Sequence, residues 1–343
     1  MERPTVMRAV RYQTTGPEVG RLRLDMVERP SPAAGDVLVR MTVSGVNPTD
    51  WKARRRFVDA ASADEPSSGR LDAPGWVIPH HDGAGVIVEV GSGVPEHRVG
   101  ERVWLWQAQW RRSAGTAAEF VSLPAAQAVA LPHGVDDDLA AGLGIPAMTA
   151  HYCLFIDGPL DGTDRVLVHG GAGAVGHAAI ELARHAGARV ATTVSSPHKA
   201  DIAERAGADL VLDYHEDDVV GRLREWAPRG VTRIVEVDVT ANLELDAALA
   251  APGAAVLVYA QPTGPVAIPW RLLEANVRLE FMLVYTVSEG AKRAAVAGVN
   301  SALSAGALTS LPIVRFPIAD TDRAHQAVED NVVGKVLIDV AAR

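Results

Sequence analysis

Short apolar runs, many of them alternating with polar residues, fill the first 125 residues and are separated by proline and glycine turns. Runs of this length and period predict β-strands. The stretch 60–71 is small, polar and charged, and it predicts a mobile surface loop. The chain therefore begins with a β-rich region, whose clearest predicted strands are 7–12, 37–46, 84–90 and 102–106.

From about residue 126 the pattern changes to strands that alternate with helices. Asp136, Asp137 and Asp138 open a helix with acidic groups at its positive end. β-type runs then recur, with helical segments between most of them, and this order predicts a doubly wound parallel sheet of α/β class. The six predicted strands are 165–169, 189–194, 209–213, 233–237, 254–259 and 277–284.

After Tyr285 the alternation ends. An alanine-rich helix is predicted over 289–305, followed by a strand, a helix and a strand at 314–317, 322–329 and 336–340. This last fragment is too small to form its own core, so we expect it to pack on the β-rich region. We therefore predict a β-rich catalytic or substrate domain of residues 1–125 and 286–343, and an inserted α/β domain of residues 126–285.

A glycine cluster follows the first predicted strand of the inserted domain and precedes a helix. Gly171, Gly173 and Gly176 have the spacing G-x-G-x-x-G. In this motif the first glycine allows the turn, the second lets the backbone approach a pyrophosphate, and the third lets helix and strand pack closely. Glycines also mark ordinary turns, but the strand–turn–helix–strand context favours dinucleotide binding. The predicted phosphate site comprises Gly171, Ala172, Gly173, Ala174, Val175 and Gly176.

The end of the second strand of this domain indicates which dinucleotide is bound. NAD-preferring sites carry an acidic residue there, which accepts hydrogen bonds from the ribose 2′-hydroxyl. This chain has Ser195, Ser196 and Lys199 at that point, and no carboxylate before Asp201. Two hydroxyls and a cation suit a 2′-phosphate, so NADPH is the predicted cofactor. A helix cap at Ser196 and a solvated lysine at position 199 are the alternatives.

Composition limits the remaining classes of function. Of 343 residues, 48% are hydrophobic and 22% charged, which is typical of a soluble globular protein. The net charge of −9 disfavours nucleic acids and anionic membranes as partners. We find neither a signal peptide nor a membrane-spanning run in the sequence. Cys153 is the single cysteine, which fits a reducing cytoplasm.

Several motifs together make the chain resemble the medium-chain dehydrogenase/reductase superfamily, and within it the zinc-independent, zeta-crystallin-like NADPH:quinone oxidoreductases. The resemblance covers nearly the whole length, and it implies a Rossmann domain inserted into a GroES-like catalytic domain. Besides the glycine turn, the motifs are GVNPTDWK at 45–52, DGAGVI at 82–87, GERVW at 100–104, GTAAEF at 115–120, GIPAMTA at 144–150 and GKVL at 334–337.

The resemblance also implies roles for single residues. Asn47 is expected beside the nicotinamide ribose or the substrate carbonyl, with a simple turn residue as the alternative. Thr149 is expected at the nicotinamide end, and the alternative is that it caps its own helix. Tyr214 joins Lys199 at the 2′-phosphate or merely packs at the sheet edge. Lys335, next to Gly334, closes the cofactor cleft. Contacts to the cofactor are also expected from Phe281 and Leu283, although 281–284 equally fits a buried strand.

The same comparison disfavours a metal. Zinc-dependent relatives have a cysteine at the position of Asn47, histidine and glutamate at the positions of His81 and Asp82, and a second cysteine near Ile145. One cysteine cannot supply those thiolates, so we predict no metal, and we take His80 and His81 as structural or substrate-facing side chains. Oxidation of an alcohol is then disfavoured, because no Lewis acid polarises it.

The predicted activity is hydride transfer from NADPH to a quinone. An enone or alkenal reductase, and a non-catalytic NADPH-binding protein of crystallin or sensor type, are the alternatives. Asp50 and Lys52 are candidate proton donors by position only, with water as the alternative donor.

Aromatic side chains and a sheet edge give two further expectations. Trp51 and Trp110 are predicted to line a flat acceptor site, whereas Trp104 and Trp106 fit core packing on one face of a strand. The apolar stretch 277–285 forms an exposed sheet edge, and similar proteins pair this edge across a two-fold axis. We therefore predict a homodimer.

Overall fold

The computed structural model describes residues 5–60 and 75–341, so most of the predicted loop at 60–71 lies outside the described residues. The chain forms two compact units, Met1–Ile145 with Pro312–Arg343, and Pro146–Leu311. The strands in chain order are β1 (Val6–Gln13), β2 (Arg23–Glu28), β3 (Asp36–Gly45), β4 (Trp76–Val77), β5 (Asp82–Val90), β6 (Arg102–Leu105), β7 (Phe120–Pro124), β8 (Ala128–Ala130), β9 (Arg165–His169), β10 (Arg189–Val194), β11 (Leu210–Asp213), β12 (Val231–Glu236), β13 (Ala250–Val258), β14 (Arg278–Phe281), β15 (Ile313–Pro317) and β16 (Lys335–Asp339).

Ten α-helices lie in the described part of the chain. They are α1 (Pro48–Ala60), α2 (Asp137–Ala141), α3 (Gly144–Phe155), α4 (Ala174–His185), α5 (Pro197–Arg205), α6 (Val219–Trp226), α7 (Val239–Leu249), α8 (Trp270–Glu274), α9 (Glu289–Ser304) and α10 (Thr321–Glu329). None of them combines the length and the apolar content that crossing a bilayer requires.

The first unit is β-rich. A sheet in the order β15-β16-β3-β5-β6-β8 carries β7 as a further partner of β3, and a smaller sheet has the order β2-β1-β4. The core of this unit contains Val39, Met41, Ile87, Leu105 and Ile338, all nearly fully buried. The chain's C-terminal strand β16 pairs with β3, as the sequence predicted for the final fragment.

The second unit contains a parallel sheet in the order β11-β10-β9-β12-β13-β14. The strand order reverses at β9, which has β10 on one side and β12 on the other. Ligands of such sheets bind outside the carboxyl ends of the strands at this switch point. The predicted α/β fold with a doubly wound parallel sheet is therefore confirmed.

The limits of the two units differ from the predicted domain limits at both joints. The segment after residue 126 stays with the first unit, because β8 pairs with β6 and the helix α2 packs on β3 and β5. At the second joint, α9 belongs to the α/β unit, because it packs on α4.

One helix was not predicted, and the bounds of one predicted strand are wrong. The helix α1 was missed, since its polar and basic sequence has little apolar periodicity. The last strand of the parallel sheet covers only Arg278–Phe281 and not 277–284, because its last ladder bond runs from Met282 N–H to Val258 O and the chain then turns.

Candidate functional site

The glycine turn connects β9 to α4 in the second unit. Gly170 has a φ of +73°, a conformation that favours glycine, so Gly170 and not Gly171 makes the turn possible. A Cβ atom on Gly171 would lie 2.3 Å from Thr192 Oγ1, and one on Gly176 would lie 2.3 Å from Gly170 O. Gly171 and Gly176 are therefore required for close packing, and the predicted role of Gly171 is corrected.

The start of α4 is open to an anion. Gly173 is the N-cap and supplies no side-chain hydrogen bond, so the first-turn N–H groups of Ala174 and Val175 have no capping side chain. A Cβ atom at Gly173 would approach only Gly170 O, at 3.3 Å. No side chain of the described residues therefore covers the backbone at this point, and a ligand can approach it. The helix dipole favours negative charge at this end, which suits a pyrophosphate.

The residues predicted to hold a 2′-phosphate follow two adjacent strands. Val194 pairs with Asp213 in the ladder of β10 and β11, so Ser195 and Tyr214 leave the sheet at the same edge. Lys199 Nζ lies 2.8 Å from Ser195 Oγ, which places the cation beside the hydroxyl. Tyr214 is exposed. The hydroxyl of Ser195 and the ammonium of Lys199 therefore lie together where an NAD-preferring site would need a carboxylate, and Tyr214 follows the neighbouring strand.

Ser196 has a structural role in addition. Its Oγ accepts a hydrogen bond from the N–H of Lys199 at 3.4 Å and caps α5, whose first residue is Pro197. Capping fixes the helix start, and with it the backbone position of Lys199.

The other predicted cofactor residues of this unit lie apart along the chain. Thr149 is buried in α3. Phe281 ends the edge strand β14 and Leu283 lies in the following turn, and both side chains are exposed. The alternative of a buried strand at 281–284 holds only in part, because Met282 and Val284 are buried but Phe281 and Leu283 are exposed and the strand ends at Phe281.

In the first unit, a buried polar network surrounds Asn47. Lys335 Nζ donates hydrogen bonds to Asn47 Oδ1 at 2.8 Å and to Val46 O at 3.0 Å. Asn47 Nδ2 in turn donates to Asp82 Oδ2 at 2.6 Å, and the second oxygen of Asp82 accepts from Ile145 N–H at 2.9 Å. The amide of Asn47 is therefore fixed between a cation and a carboxyl group, with its oxygen toward the cation.

Asp50 belongs to the same network. Its Oδ2 accepts a hydrogen bond from the N–H of Asn47 at 2.6 Å, and its Oδ1 is buried without a hydrogen-bond partner, 3.9 Å from His81 Nε2. Lys52 is exposed on α1, in contrast, and its Nζ lies 5.6 Å from the ring centroid of Trp51. Of the two proton donors considered from sequence, the structure brings only Asp50 into the network.

Burial changes the charges in this network. Burial raises the pKa of Asp50 well above its ordinary value, and the charge of Asp82 raises it further against the opposing Asn47 N–H and Lys335. Burial also raises the pKa of Asp82 to about 6, against the opposing effects of Lys335 and Asn47. For Lys335, burial lowers the pKa and both carboxyl groups oppose that change. Asp50 therefore keeps its proton to a higher pH than an ordinary aspartic acid does.

A second buried chain of polar groups, missed from sequence, adjoins Asp82. His325 Nε2 lies 2.8 Å from His80 Nε2, and His80 Nδ1 lies 2.9 Å from Ser44 Oγ. Ser44 then contacts Thr116, whose hydroxyl donates to the backbone oxygen of Asp82 at 2.6 Å. The four residues come from distant parts of the chain, so no local pattern could have indicated the contact.

The tryptophans predicted at the acceptor site are half-buried. Trp51 has its indole nitrogen buried without a hydrogen-bond partner, and the Arg55 guanidinium lies 5.5 Å from its ring centroid. Trp110 lies in the loop after β6, with Arg111 at 5.7 Å. Trp104 and Trp106 are both buried, as core packing requires, but β6 ends at Leu105, so Trp106 is not a strand residue.

The residues at the zinc positions of metal-dependent relatives do not fit a zinc ion. Asn47 Oδ1 and Asp82 Oδ2 are already engaged within the network, and the Lys335 ammonium bonded to Asn47 would repel a second cation. Ile145 offers no ligand side chain. Zinc sites use three or four thiolate, imidazole or carboxylate ligands in fixed geometry, and this network lacks that set.

Comparison with known proteins gives two family models. Residues 33–133 match the alcohol dehydrogenase GroES-like domain, and residues 174–297 match a zinc-binding dehydrogenase model. Among solved structures, mycobacterial Rv1454c complexed with NADPH is similar, with a TM-score of 0.78 and 30% identity over 97% of this chain and 99% of that chain.

Three curated relatives are similar in sequence. Quinone oxidoreductase of Rattus norvegicus is 32% identical over 255 residues, covering 74% of this chain and 73% of the relative. 2-Haloacrylate reductase of a Burkholderia species is 29% identical over 94% of this chain and 95% of the relative. The chain spans about half the length of the rat synaptic vesicle membrane protein VAT-1 homolog, at 32% identity over 60% of the chain. The chain therefore belongs to the quinone oxidoreductase family of the medium-chain dehydrogenase/reductase superfamily.

Proposed function

We propose that the protein is a zinc-independent, NADPH-dependent oxidoreductase that transfers hydride from the nicotinamide to a quinone. The observation that carries the cofactor assignment is the uncapped start of α4 beside the Lys199–Ser195 contact. The first feature accepts a pyrophosphate and the second accepts the additional phosphate of NADPH. The quinone is supported by membership of the quinone oxidoreductase family.

Bound NADPH supplies the hydride, and the acceptor must also receive a proton to give the hydroquinone and NADP⁺. The residues of this chain bind the cofactor, orient the acceptor and supply that proton. Residues 171–176 hold the pyrophosphate, and Ser195, Ser196, Lys199 and Tyr214 hold the 2′-phosphate. Thr149, Phe281 and Leu283 are proposed to contact the cofactor in the same unit.

The network around Asn47 is proposed to act on the reacting end. Lys335 fixes the amide of Asn47, so its orientation is set before substrate binds. The ammonium group of Lys335 has three donors, of which Val46 O and Asn47 Oδ1 use two. We propose that this positive charge favours the negative charge that develops on the acceptor oxygen.

Asp50 is proposed as the internal proton source. Its carboxyl group is buried, its pKa is raised well above the ordinary value by burial, and its Oδ1 has no hydrogen-bond partner. A carboxyl group that holds its proton to a higher pH than usual is suited to donate it to the acceptor. Lys52 is exposed and is the weaker candidate for this role.

A second acceptor class has specific support. The relative named 2-haloacrylate reductase matches 94% of this chain, so reduction of an activated carbon–carbon double bond is the alternative reaction. A non-catalytic NADPH-binding protein is the third possibility, and the buried, fixed polar network around Asn47 argues against it.

Absorbance of NADPH at 340 nm provides the test. The purified protein is mixed with 9,10-phenanthrenequinone, 1,4-benzoquinone, an alkenal or 2-chloroacrylate. Faster oxidation of NADPH with the quinones than with the other acceptors supports the proposal. Faster oxidation of NADPH with the alkenal or 2-chloroacrylate supports the double-bond reductase. NADPH binding without turnover of any acceptor would favour the non-catalytic protein.

We also propose that the protein is a cytoplasmic homodimer. Within the part of the chain that the structure describes, β14 pairs only with β13, and apolar Phe281 and Leu283 are exposed next to its free edge. An edge of this kind is suited to continue the sheet into a second copy. Cys153 is buried and its thiol pKa is raised to about 12 by burial, which fits a protein without need of disulfides.

A further inference from the structure

Three buried titratable residues meet beneath the glycine turn. His169 ends β9, Glu236 ends β12 and Asp246 lies on α7. Their exposed fractions are 2%, 0% and 0%. Among the described residues, they are the one group of three histidine, cysteine or acidic side chains whose potential ligand atoms all lie within 4.8 Å of one another. Neither the glycine turn nor the 2′-phosphate residues include them.

The imidazole of His169 lies between two carboxyl groups and a hydroxyl. Its Nε2 is 2.9 Å from Asp246 Oδ1 and 3.3 Å from Glu236 Oε2. Its Nδ1 is 3.0 Å from Thr193 Oγ1. Two ionised carboxylates around one imidazolium would leave a net negative charge in the protein interior, which is costly.

The hydrogen bonds of Glu236 decide where a compensating proton sits. Its Oε1 accepts from the N–H of Asp238, in a short contact, and from Asn242 Nδ2 at 3.0 Å. Glu236 Oε2 is buried without a hydrogen-bond partner, and so is Asp246 Oδ2. A proton on Glu236 therefore belongs on Oε2, the oxygen that faces His169 and Asp246.

Electrostatics agrees with this placement. Burial, opposed by the charge of His169 and assisted by Asp246, raises the pKa of Glu236 to about 7. For His169, burial alone lowers the pKa, but the hydrogen bond and charge of Asp246 together with Glu236 outweigh burial and raise it. Tyr259 also interacts with Glu236, and burial raises the pKa of its hydroxyl so far that it stays neutral.

The three residues are linked to the dinucleotide site through short stretches of backbone. His169 directly precedes Gly170, and the N–H groups of Gly170 and Gly171 donate to Thr193 O, on the residue whose hydroxyl contacts His169. Glu236 holds the N–H of Asp238, whose side chain caps α7. The cluster therefore ties the glycine turn, the end of β10 and the segment after β12 together.

We propose that His169, Glu236 and Asp246 form a positioning cluster that fixes the glycine turn for the dinucleotide, and that it does so in a net-neutral form with protons on both His169 and Glu236. None of the three touches the cofactor in this role. The cluster acts through Thr193 and the backbone of Gly170 and Gly171. The part that concerns NADPH affinity rests on the proposed function, whereas the protonation of the cluster does not.

The key variant is Glu236→Gln, because an amide keeps the acceptor at Oε1 and replaces the protonated oxygen with a neutral donor group. Glu244→Gln is the matched control, since Glu244 is an exposed glutamate on the same helix as Asp246. Thr193→Val is a second variant, which removes the hydroxyl contact to His169 and leaves the charges in place.

The first measurement needs no dinucleotide. A group whose folded pKa is raised from 4.5 to about 7 contributes stability below pH 4.5 and loses it as the pH rises through 7. We measure the folding equilibrium constants of wild type and Glu236→Gln by urea unfolding from pH 5 to 8. The ratio of the variant's constant to the wild-type constant should rise at least tenfold over this range. Glu244→Gln should follow wild type. Parallel pH profiles for wild type and Glu236→Gln would overturn the protonated cluster.

The second measurement is the NADPH dissociation constant from pH 6.5 to 8.5. As the pH rises and Glu236 ionises, the affinity of wild type for NADPH should fall at least threefold relative to that of Glu236→Gln. Thr193→Val should bind NADPH at least threefold more weakly than wild type and keep the wild-type pH profile. Unchanged affinity in Thr193→Val would overturn the positioning role.

Two further outcomes separate the proposals. No NADPH binding by wild type, together with the expected urea profiles, would refute the proposed function and retain the protonated cluster. One equivalent of Zn²⁺ bound by wild type and lost in Glu236→Gln would overturn the proton assignment, because a divalent ion would replace both protons.

Discussion

Lys335 Nζ lies 2.8 Å from Asn47 Oδ1, although 288 residues separate the two positions. Strand pairing explains this contact. The strand β16 begins at Lys335 and runs antiparallel to β3, with Leu337 opposite Gly45, and Val46 N–H donates to Val336 O at 3.1 Å. The last strand of the chain therefore delivers a buried cation to the Asn-Pro turn that starts α1.

Lys335→Met should lower kcat/KM for a quinone at least tenfold, because Asn47 loses the donor that fixes its amide and the acceptor loses a nearby positive charge. Hydrogen bonds to charged groups contribute about 1.5–3 kcal/mol, so unfolding free energy should fall by a similar amount. Steady-state kinetics and urea unfolding measure both effects. Arg323→Met, at an exposed site on α10, is the control, and unchanged affinity for 2′,5′-ADP would show that the other unit is intact. Unchanged kcat/KM would contradict the proposal.

Lys199→Ala should weaken NADPH binding and leave NADH binding nearly unchanged, since the ammonium beside Ser195 faces only the 2′-phosphate in our proposal. Loss of one charge-assisted contact, about 1.5–3 kcal/mol, corresponds to an increase of roughly 10- to 100-fold in the dissociation constant. Fluorescence titration with both cofactors measures it. Ser196→Ala is the comparison, because loss of a helix cap reduces stability by about 1 kcal/mol, and we expect a smaller loss of cofactor discrimination. Equal loss of NADH and NADPH affinity in Lys199→Ala would refute a 2′-phosphate role.

The buried His80–His325 contact should make the protein sensitive to acid. Burial, followed by the charge of Arg54, lowers the pKa of His325 to about 3. An imidazole whose folded pKa lies below its unfolded value near 6.5 contributes stability above pH 6.5 and loses it as the pH falls toward 3. Between pH 7 and pH 5 the unfolding free energy of wild type should therefore fall by about 2 kcal/mol more than that of His325→Gln. Urea titration at the two pH values measures the difference.

The exposed His97 supplies the control for this pH effect, because His97→Gln should retain the wild-type acid response. Asp82 acts in the opposite sense: its pKa is raised to about 6, so its contribution is lost as the pH rises through 6. Comparing the two histidine variants cancels this carboxyl contribution. An identical acid response in His325→Gln and wild type would mean that His325 is protonated in the folded protein.

Local patterns predicted the α/β sheet and the glycine turn, because strand, turn and helix signals lie within about twenty residues there. The same patterns assigned the turn to Gly171, since the motif does not include Gly170, whose φ is positive. The network around Asn47 was only partly predicted. Lys335 and Asn47 were named by resemblance, but their mutual contact depends on the pairing of β16 with β3.

Contacts between distant residues account for most of what the sequence did not predict. His80 and His325 are 245 residues apart, and His169 and Asp246 are 77 apart. A buried histidine has no periodic signature of its own, so neither pair could be recognised before the strands were placed. Similarly, the start of α1 near the predicted acceptor residues was not recognised, because its helix is rich in arginine.

Trp110→Ala should raise KM for a quinone several-fold and leave the NADPH dissociation constant unchanged. Loss of an aromatic surface weakens the binding of a flat apolar acceptor by about 1 kcal/mol or more. Trp110 is half-buried in the loop after β6. Trp76→Ala, at a tryptophan of β4 in the same unit that stacks on Arg11, is the control. An unchanged quinone KM in Trp110→Ala would remove this residue from the acceptor site.

Phe281→Glu should convert the proposed dimer into monomers. Phe281 ends the free edge strand β14 and is 55% exposed, so a second copy that continues the sheet would bury it, and a carboxylate there would be desolvated without a partner. Sedimentation velocity at micromolar concentration should give a dimer for wild type and a monomer for the variant. Met26→Glu places the same charge on exposed β2 in the other unit and should remain dimeric. A wild-type monomer would refute the homodimer, and a dimeric Phe281→Glu protein would move the interface away from this edge.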